Sequence, residues 1–475
     1  MTANTQPTRI ETIKEKSIEL VKTARSFFNS YFFYALETLI AVLIVMTRQE
    51  VYGAILFVGL LAVILLVCED TLATTLPFLL VGTFTTNCYN SFDTFIKFVP
   101  FAPFVVGCLV FHFVVYHKPY SMGESAYGIG AIAVAILLGG VGGFSLMEYI
   151  KGAYYYLGLG YGMLIAYFAM KSRFAYHRNY DFKERFAVIM SLMGLLCVAM
   201  IGNGYGRTFL GLTNAPYAIG FSRNNVCTML MFAMPFPLYL TKRSPYAALG
   251  TFLFFGAMCA TTSRGGLLFG TLEFGVCALY WLLQDKQNLS VRIGFCMVAV
   301  GAVLLVLGRV VADVIVNRLL GEDTVEGSDR FVMALQALRR IAKNPLFGGG
   351  ILDNTIVYAE YKKAGTMSWY HMMISQVVGS MGAVGILCYG FQIWQRFRLI
   401  LRKVCTWSLV LGISYLGIFL MSQVNPGEFC PVPFQTLAVL LFILQEKRLD
   451  EDTLPLARPS EKGGEHLLGV REMKI

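Results

Sequence analysis

The chain has 475 residues, 56% of them hydrophobic and only 14% charged, where soluble domains carry roughly 25% charged residues. An ordinary water-facing fold is excluded, and because stretches such as 128–147 and 293–307 are apolar on every face rather than alternating, so is a β-barrel. The net charge of +10 does not point to a nucleic-acid partner, since the basic residues sit beside apolar runs, where the positive-inside tendency accounts for them.

Residues 1–30 open the chain with an amphipathic helix. Ile10, Ile13, Leu20, Val21, Ala24 and Phe27 share one face, Glu11, Glu15, Glu19 and Lys22 the other, and Lys14, Lys16 and Arg25 flank them, a pattern suited to an anionic headgroup layer. No leader with a cleavage site is expected, because the first apolar run starts near Tyr31 and further runs follow. Fourteen apolar runs are read as spans: 31–46, 51–68, 71–87, 98–116, 128–148, 153–170, 186–203, 224–240, 245–262, 265–283, 292–315, 371–394, 405–422 and 431–445. Most are near the roughly 20 residues that a bilayer-crossing helix needs; merging the second and third with their neighbours would leave twelve. The fold class is therefore an all-α polytopic membrane protein, with eleven spans over 31–315, a loop over 316–370, three spans over 371–445 and a charged, disordered tail over 446–475. With the amino terminus inside, short inner loops hold fourteen Lys and Arg residues and short outer connections six, which places both termini in the cytoplasm.

The 55-residue loop 316–370 breaks the rhythm of short connections, and long loops of this kind are usually functional. Within it Ser328 and Asp329 can cap a helix on which Phe331, Leu335 and Leu338 share a face, and Pro345 ends that helix before Gly348, Gly349 and Gly350.

Chemistry gathers on outward-facing cations: Arg207 and Arg223 in one outer connection, Arg264 in the break Thr261-Thr262-Ser263-Arg264-Gly265-Gly266, and Arg330 in the long loop. Arginines against the positive-inside tendency call for a shared anionic partner, and a diphosphate suits guanidinium forks; snorkelling to headgroups is the structural alternative. His371 follows Trp369 and Tyr370 at the mouth of a span, where a neutral imidazole suits a general base, though a lone histidine is more often structural. Gly158, Gly160 and Gly162, Gly202, Gly204 and Gly206, and the pair Gly139 and Gly143 read as close helix packing rather than phosphate loops, because no βαβ context surrounds them. Asp450 and Asp452 read as a solvated charge run. Cys108, Cys197, Cys227, Cys259, Cys277, Cys296 and Cys388 lie inside apolar runs without metal-site spacing, so neither a disulfide framework nor a metal cofactor is expected.

In order and spacing, Gly220-Phe221-Ser222-Arg223-Asn224-Asn225, Ser263-Arg264-Gly265, Gly327-Ser328-Asp329-Arg330, Asn344-Pro345-Leu346-Phe347-Gly348 and His371 resemble the O-antigen ligase and O-antigen polymerase superfamily over about residues 202–385. The resemblance implies a metal-independent glycosyltransferase with no cofactor. Its donor would be a glycan on a polyprenyl (undecaprenyl) diphosphate carrier, used at the outer face of the cytoplasmic membrane, and its acceptor a glycan or lipid-sugar. It implies that Arg223, Arg264 and Arg330, with Arg207 beside them, bind the diphosphate and stabilise its developing charge, and that His371 takes the acceptor hydroxyl's proton. The chain departs from the usual family pattern with Met372 after His371 and Asn224 before Asn225. Ligase and polymerase are not separated by these motifs. A lipid-linked oligosaccharide flippase or other transporter is the alternative of a different class, and a peptidoglycan-type polymerase using Asp329 or Asp353 is a third reading.

The charge asymmetry makes a topological prediction. On a cysteine-free background, an impermeant thiol reagent applied to intact cells should label a cysteine at position 325 and miss one at position 178; the reverse pattern would invert the orientation.

Overall fold

The computed structural model describes residues 9–69, 72–87, 99–116, 122–143, 162–174, 182–211, 223–284, 288–313, 316, 329–350, 370, 372–402, 404–424 and 432–453. They form helices, with no strand among the described residues. In chain order these are α1 (Arg9–Phe28), α2 (Tyr31–Thr47), α3 (Glu50–Val67), α4 (Leu72–Asn87), α5 (Ala102–Tyr116), α6 (Ser125–Gly143), α7 (Gly162–Phe174), α8 (Phe182–Phe209), α9 (Arg223–Ala233), α10 (Phe236–Leu240), α11 (Ala248–Ala260), α12 (Arg264–Gln284), α13 (Leu289–Asp313), α14 (Asp329–Lys343), α15 (Met373–Arg402), α16 (Thr406–Met421) and α17 (Val432–Thr453).

Five of these helices are long and apolar enough to cross a bilayer, and a sixth span results if the bent pair Lys16–Phe28 and Tyr31–Thr47, 62° apart, is counted as one. The protein is thus an all-helical membrane protein, but the described helices do not reach the expected fourteen spans. The expected run 71–87 forms α4, which continues through Pro77, whereas the expected run 224–240 is divided into α9 and α10 at Pro235, where a helix loses an N–H donor. The carbonyls freed near that division are met by hydroxyls of neighbouring helices: Thr251 Oγ1 donates to the Met234 carbonyl at 2.8 Å and Ser414 Oγ to the Phe232 carbonyl at 2.9 Å. In a hydrocarbon surrounding, such groups have no water to fall back on.

The largest buried cluster joins α2, α3, α4, α8, α9, α11, α16 and α17, with Phe186, Phe232, Phe236 and Tyr415 among its fully enclosed rings. Close approach of α6 and α15 depends on Gly139, where an added Cβ would sit 2.9 Å from the Ser380 carbonyl. Gly202 and Gly206 do not pack in this way, since a Cβ at either would meet nothing within 4 Å. Gly158 and Gly160 lie outside the described residues.

The amino-terminal helix forms as expected and is held at its end, where Arg25 Nε donates to the Val67 carbonyl at 2.8 Å and the guanidinium lies 5.5 Å from the Tyr116 ring centre. Near the same end of the molecule a second polar set is buried. Glu446, expected at the start of a solvated tail, is instead 4% exposed, because α17 continues to Thr453. Its carboxylate accepts from Lys171 Nζ at 2.6 Å, from Tyr167 Oη at 2.7 Å and from the Ser125 backbone N–H. Gln395 Oε1 accepts the Gly128 N–H at 2.8 Å, so side chains of α17 and α15 together satisfy the first-turn donors of α6.

Removing one partner of a buried ion pair leaves the other charge stranded, at a cost of about 3–5 kcal/mol. Glu446→Ala should therefore lower the thermal midpoint of the detergent-solubilised protein markedly. Glu446→Leu with Lys171→Met should recover part of the loss, as followed by size-exclusion retention after heating.

Candidate functional site

The end of the molecule opposite the Lys171–Glu446 pair is built around the turn between α11 and α12. Thr262 adopts φ +56, a left-handed backbone that reverses the chain within three residues. Thr261 Oγ1 donates to the Met258 carbonyl at 2.7 Å, accepts the Ser263 N–H at 3.2 Å and lies 3.0 Å from Cys227 Sγ. Ser263 Oγ accepts the Gly266 N–H at 3.1 Å, which makes Ser263 the N-cap of α12. The same hydroxyl donates to Asn224 Oδ1 at 2.8 Å, tying the first turn of α9 to the first turn of α12.

That tie brings two of the expected cations together. Arg223 begins α9 and Arg264 begins α12; both are exposed, and Arg223 Nη1 reaches Thr262 Oγ1 at 3.4 Å. The two helix starts can approach because Gly265 and Gly266 have no side chains: a Cβ on Gly265 would overlap Val424, and one on Gly266 would overlap Cys227 Sγ. Arg207 is placed at the same end but in the last turn of α8 rather than in a loop. Its helix is linked to the turn by Tyr205 Oη donating to the Ala260 carbonyl at 2.6 Å. Arg207 is half-buried, and its Nε is enclosed without a hydrogen-bond partner among the described residues.

The long loop contributes α14 and a bracket that holds it. After α14, the turn Pro345–Gly350 pairs with a break in α15: Gly349 N–H to the Gly379 carbonyl at 2.8 Å, Gly350 N–H to the Ser380 carbonyl at 3.0 Å, Ala383 N–H to the Pro345 carbonyl at 2.9 Å and Val384 N–H to the Leu346 carbonyl at 3.2 Å. The break centres on Gly382 (φ 58, ψ −148), and Gly348 has φ +66, conformations in which a side chain is strained. Asn344 Nδ2 donates to the Gly348 carbonyl at 2.8 Å and closes the turn.

Tyr370, fully enclosed, packs on Met333 and Ala337 of α14. Its backbone N–H donates to Gln376 Oε1 at 3.0 Å, and Gln376 Nε2 donates to Ser380 Oγ at 2.7 Å. The face of α14 turned inward is therefore Met333 and Ala337; of the expected shared face, Leu335 and Leu338 are turned outward, 38% and 58% exposed, and the side chain of Phe331 lies outside the described residues. Arg330 is the second residue of α14, one turn before Met333, and its side chain lies outside the described residues. So do His371, the whole of Asp353 and the side chain of Asp329. The residues on either side of His371 are described: Tyr370 as above, and Met372, which precedes Met373. The Met373 N–H donates to the Ser422 carbonyl at 2.9 Å, and Met421 and Val424, on either side of Ser422 in the chain, approach Gly265. The start of α15 and the start of α12 thus share α16 as a common neighbour.

Residues 249–390 match the family model described as O-antigen ligase. The match covers less than half of the chain and is a likeness to that family over this segment. No curated protein and no solved structure matches the chain. The matched segment runs from α11 into α15 and contains Arg264, Arg330 and His371, together with the Ser263 cap and the Gly382 break. Arg207 and Arg223 lie before it in sequence and are joined to it through Tyr205 and Asn224. Of the positioning groups, Ser263 and Asn224 stand within the motifs read from the sequence without an assigned role. A serine before an arginine and two glycines at a span boundary is a legible capping signal, whereas Tyr370 and Gln376 carry no pattern that marks them.

Proposed function

We propose that this protein is a membrane glycosyltransferase that transfers or polymerises a glycan from a polyprenyl diphosphate carrier at the membrane face bearing Arg223 and Arg264. The observation that carries the reading is the Ser263 to Asn224 hydrogen bond of 2.8 Å, which sets two exposed arginines on adjoining helix starts. Helix starts present unpaired N–H groups and the positive end of the helix dipole, so both arginines stand where an anion is already favoured. A cleft of about 660 Å³ that runs from Tyr246 along α11 to Ala257, with Ala299 and Val303 on its other side, adds support. It ends one turn short of Ala260 and is almost wholly apolar, as the isoprenoid part of such a donor requires.

In this reaction the acceptor hydroxyl oxygen attacks the anomeric carbon of the donor glycan. The bond from that carbon to the diphosphate oxygen breaks, and its electron pair leaves with polyprenyl diphosphate. Arg223, Arg264 and Arg330, with Arg207 at the edge, stabilise the charge that grows on the leaving group, an effect strongest where water is excluded. His371 accepts the proton released by the hydroxyl. The reaction site faces away from the cytoplasm of a cell whose inner membrane holds the protein with both termini inside.

Two substitutions separate these roles in assays of the purified protein in lipid with a polyprenyl-diphosphate glycan and candidate acceptors. Arg264→Ala should lose about 1.5–3 kcal/mol of transition-state binding, the scale of a charge-assisted hydrogen bond. Arg264→Lys should fall between it and the parent, because it keeps the charge without the bidentate fork. Equal rates for all three would reduce Arg264 to an interfacial residue.

His371→Ala should bind donor nearly normally yet turn over about 10²- to 10⁴-fold more slowly, the usual contribution of a positioned base. Retention of more than about a tenth of the parent rate would exclude His371 as the base and direct attention to Asp329 or Asp353. Donor movement across the bilayer without any transfer product would replace transfer with transport.

A further inference from the structure

The outward surface of α14 divides into sectors. Leu335, Leu338 and Ala342 form one exposed stripe, Arg339 and Lys343 a second exposed stripe beside it, and Met333 and Ala337 the third, which is buried. Leu346, in the turn that follows, is 59% exposed. In water this would be an unpartnered apolar patch at the end of a basic helix.

The bracket to α15 fixes the depth of that patch. From Met373 to Gln395, α15 has 23 residues without a charge, a length of roughly 34 Å at 1.5 Å per residue, close to the roughly 30 Å hydrocarbon thickness of a bilayer. Gly382 is the tenth of these residues, and the backbone bonds at Gly379, Ser380, Ala383 and Val384 hold Pro345–Gly350 beside it. The turn therefore lies about 13 Å along the span from its start, below the level at which the chain enters the membrane. At this depth Leu346 continues the apolar surface of α15, where Ile386 is 44% and Leu387 73% exposed.

We propose that α14 and the Pro345–Gly350 turn are a lipid-contacting segment seated in the leaflet at the arginine end. Leu335, Leu338 and Leu346 lie against acyl chains there, and Arg339 and Lys343 reach lipid phosphates. An apolar stripe beside a basic one is the arrangement of a helix lying in the interface, and long basic side chains reach the headgroups from there by snorkelling. The occupant is the bilayer itself, so the inference holds whether the site transfers a glycan or not. Its consequence for the site is that α14, which carries Arg330, is referenced to the membrane on one side and to Tyr370 on the other.

The full chain can be tested unaltered in nanodiscs of phosphatidylethanolamine and phosphatidylglycerol containing a phospholipid with a diazirine in its acyl chain. Trypsin releases residues 331–339 and 344–362 as separate peptides. Photolysis should place carbene adducts on Leu335, Leu338 and Leu346 at yields within about threefold of those on Leu387, as expected for side chains at the acyl boundary. Hydroxyl-radical footprinting of the same sample should leave the three leucines unmodified. Radical modification without carbene adducts would place them in water and overturn the proposal. Protection from both reagents would mean that protein covers them, and would overturn it equally.

Discussion

The four backbone hydrogen bonds between Pro345–Gly350 and Gly379–Val384 govern the geometry of the arginine end. A helix that breaks inside a membrane exposes N–H and C=O groups that hydrocarbon cannot satisfy, so the break at Gly382 requires a partner strand of backbone, and the turn after α14 supplies it. Because the partner comes from the long loop, repairing the span and positioning the loop are the same event. Gly348 and Gly382 allow the two backbones to touch, and a Cβ on either would stand within 2.8 Å of the other segment. Through Tyr370 and Gln376 the bracket also holds the residue immediately before His371.

The same requirement is met differently at the two ends of the molecule. At the end of α7 and α17 it is met by buried side chains: Glu446, Gln395 and Lys171 form a closed set in which the carboxylate caps α6 and neutralises the ammonium. Such a set is costly to disrupt. At the opposite end Ser263 performs the capping with a neutral hydroxyl, and Arg223 and Arg264 remain exposed to what approaches.

The family match covers residues 249–390, yet the arginine cluster draws on helices before that segment. Asn224 on α9 and Tyr205 on α8 hydrogen-bond to the α11–α12 turn from outside the matched region. The candidate site is therefore an assembly of the matched segment with earlier helices. An isolated segment would lose Asn224, the partner of the Ser263 hydroxyl, and Arg223 itself, which reaches Thr262.

Composition and pattern together determined that this chain folds as membrane helices, because 56% hydrophobic residues in runs apolar on every face rather than alternating leave the helix as the way to satisfy the backbone. The order of short motifs likewise carried the resemblance that the match over residues 249–390 repeats, and the helix that begins at Asp329 and ends before Pro345 was legible too. Tertiary structure decided the rest. Whether an apolar run becomes one crossing or two shorter helices depends on whether a neighbour supplies donors at the break, as Thr251 and Ser414 do near Pro235. Periodicity shows that Leu335 and Leu338 share a face of α14, but only the packing of Tyr370 on Met333 and Ala337 shows that this face looks outward. Local charge made Glu446 read as the start of a solvated tail; its burial depends on Lys171, 275 positions away in the chain. A sequence displays which groups need partners, and the partners are chosen by contacts between segments that the local pattern does not connect.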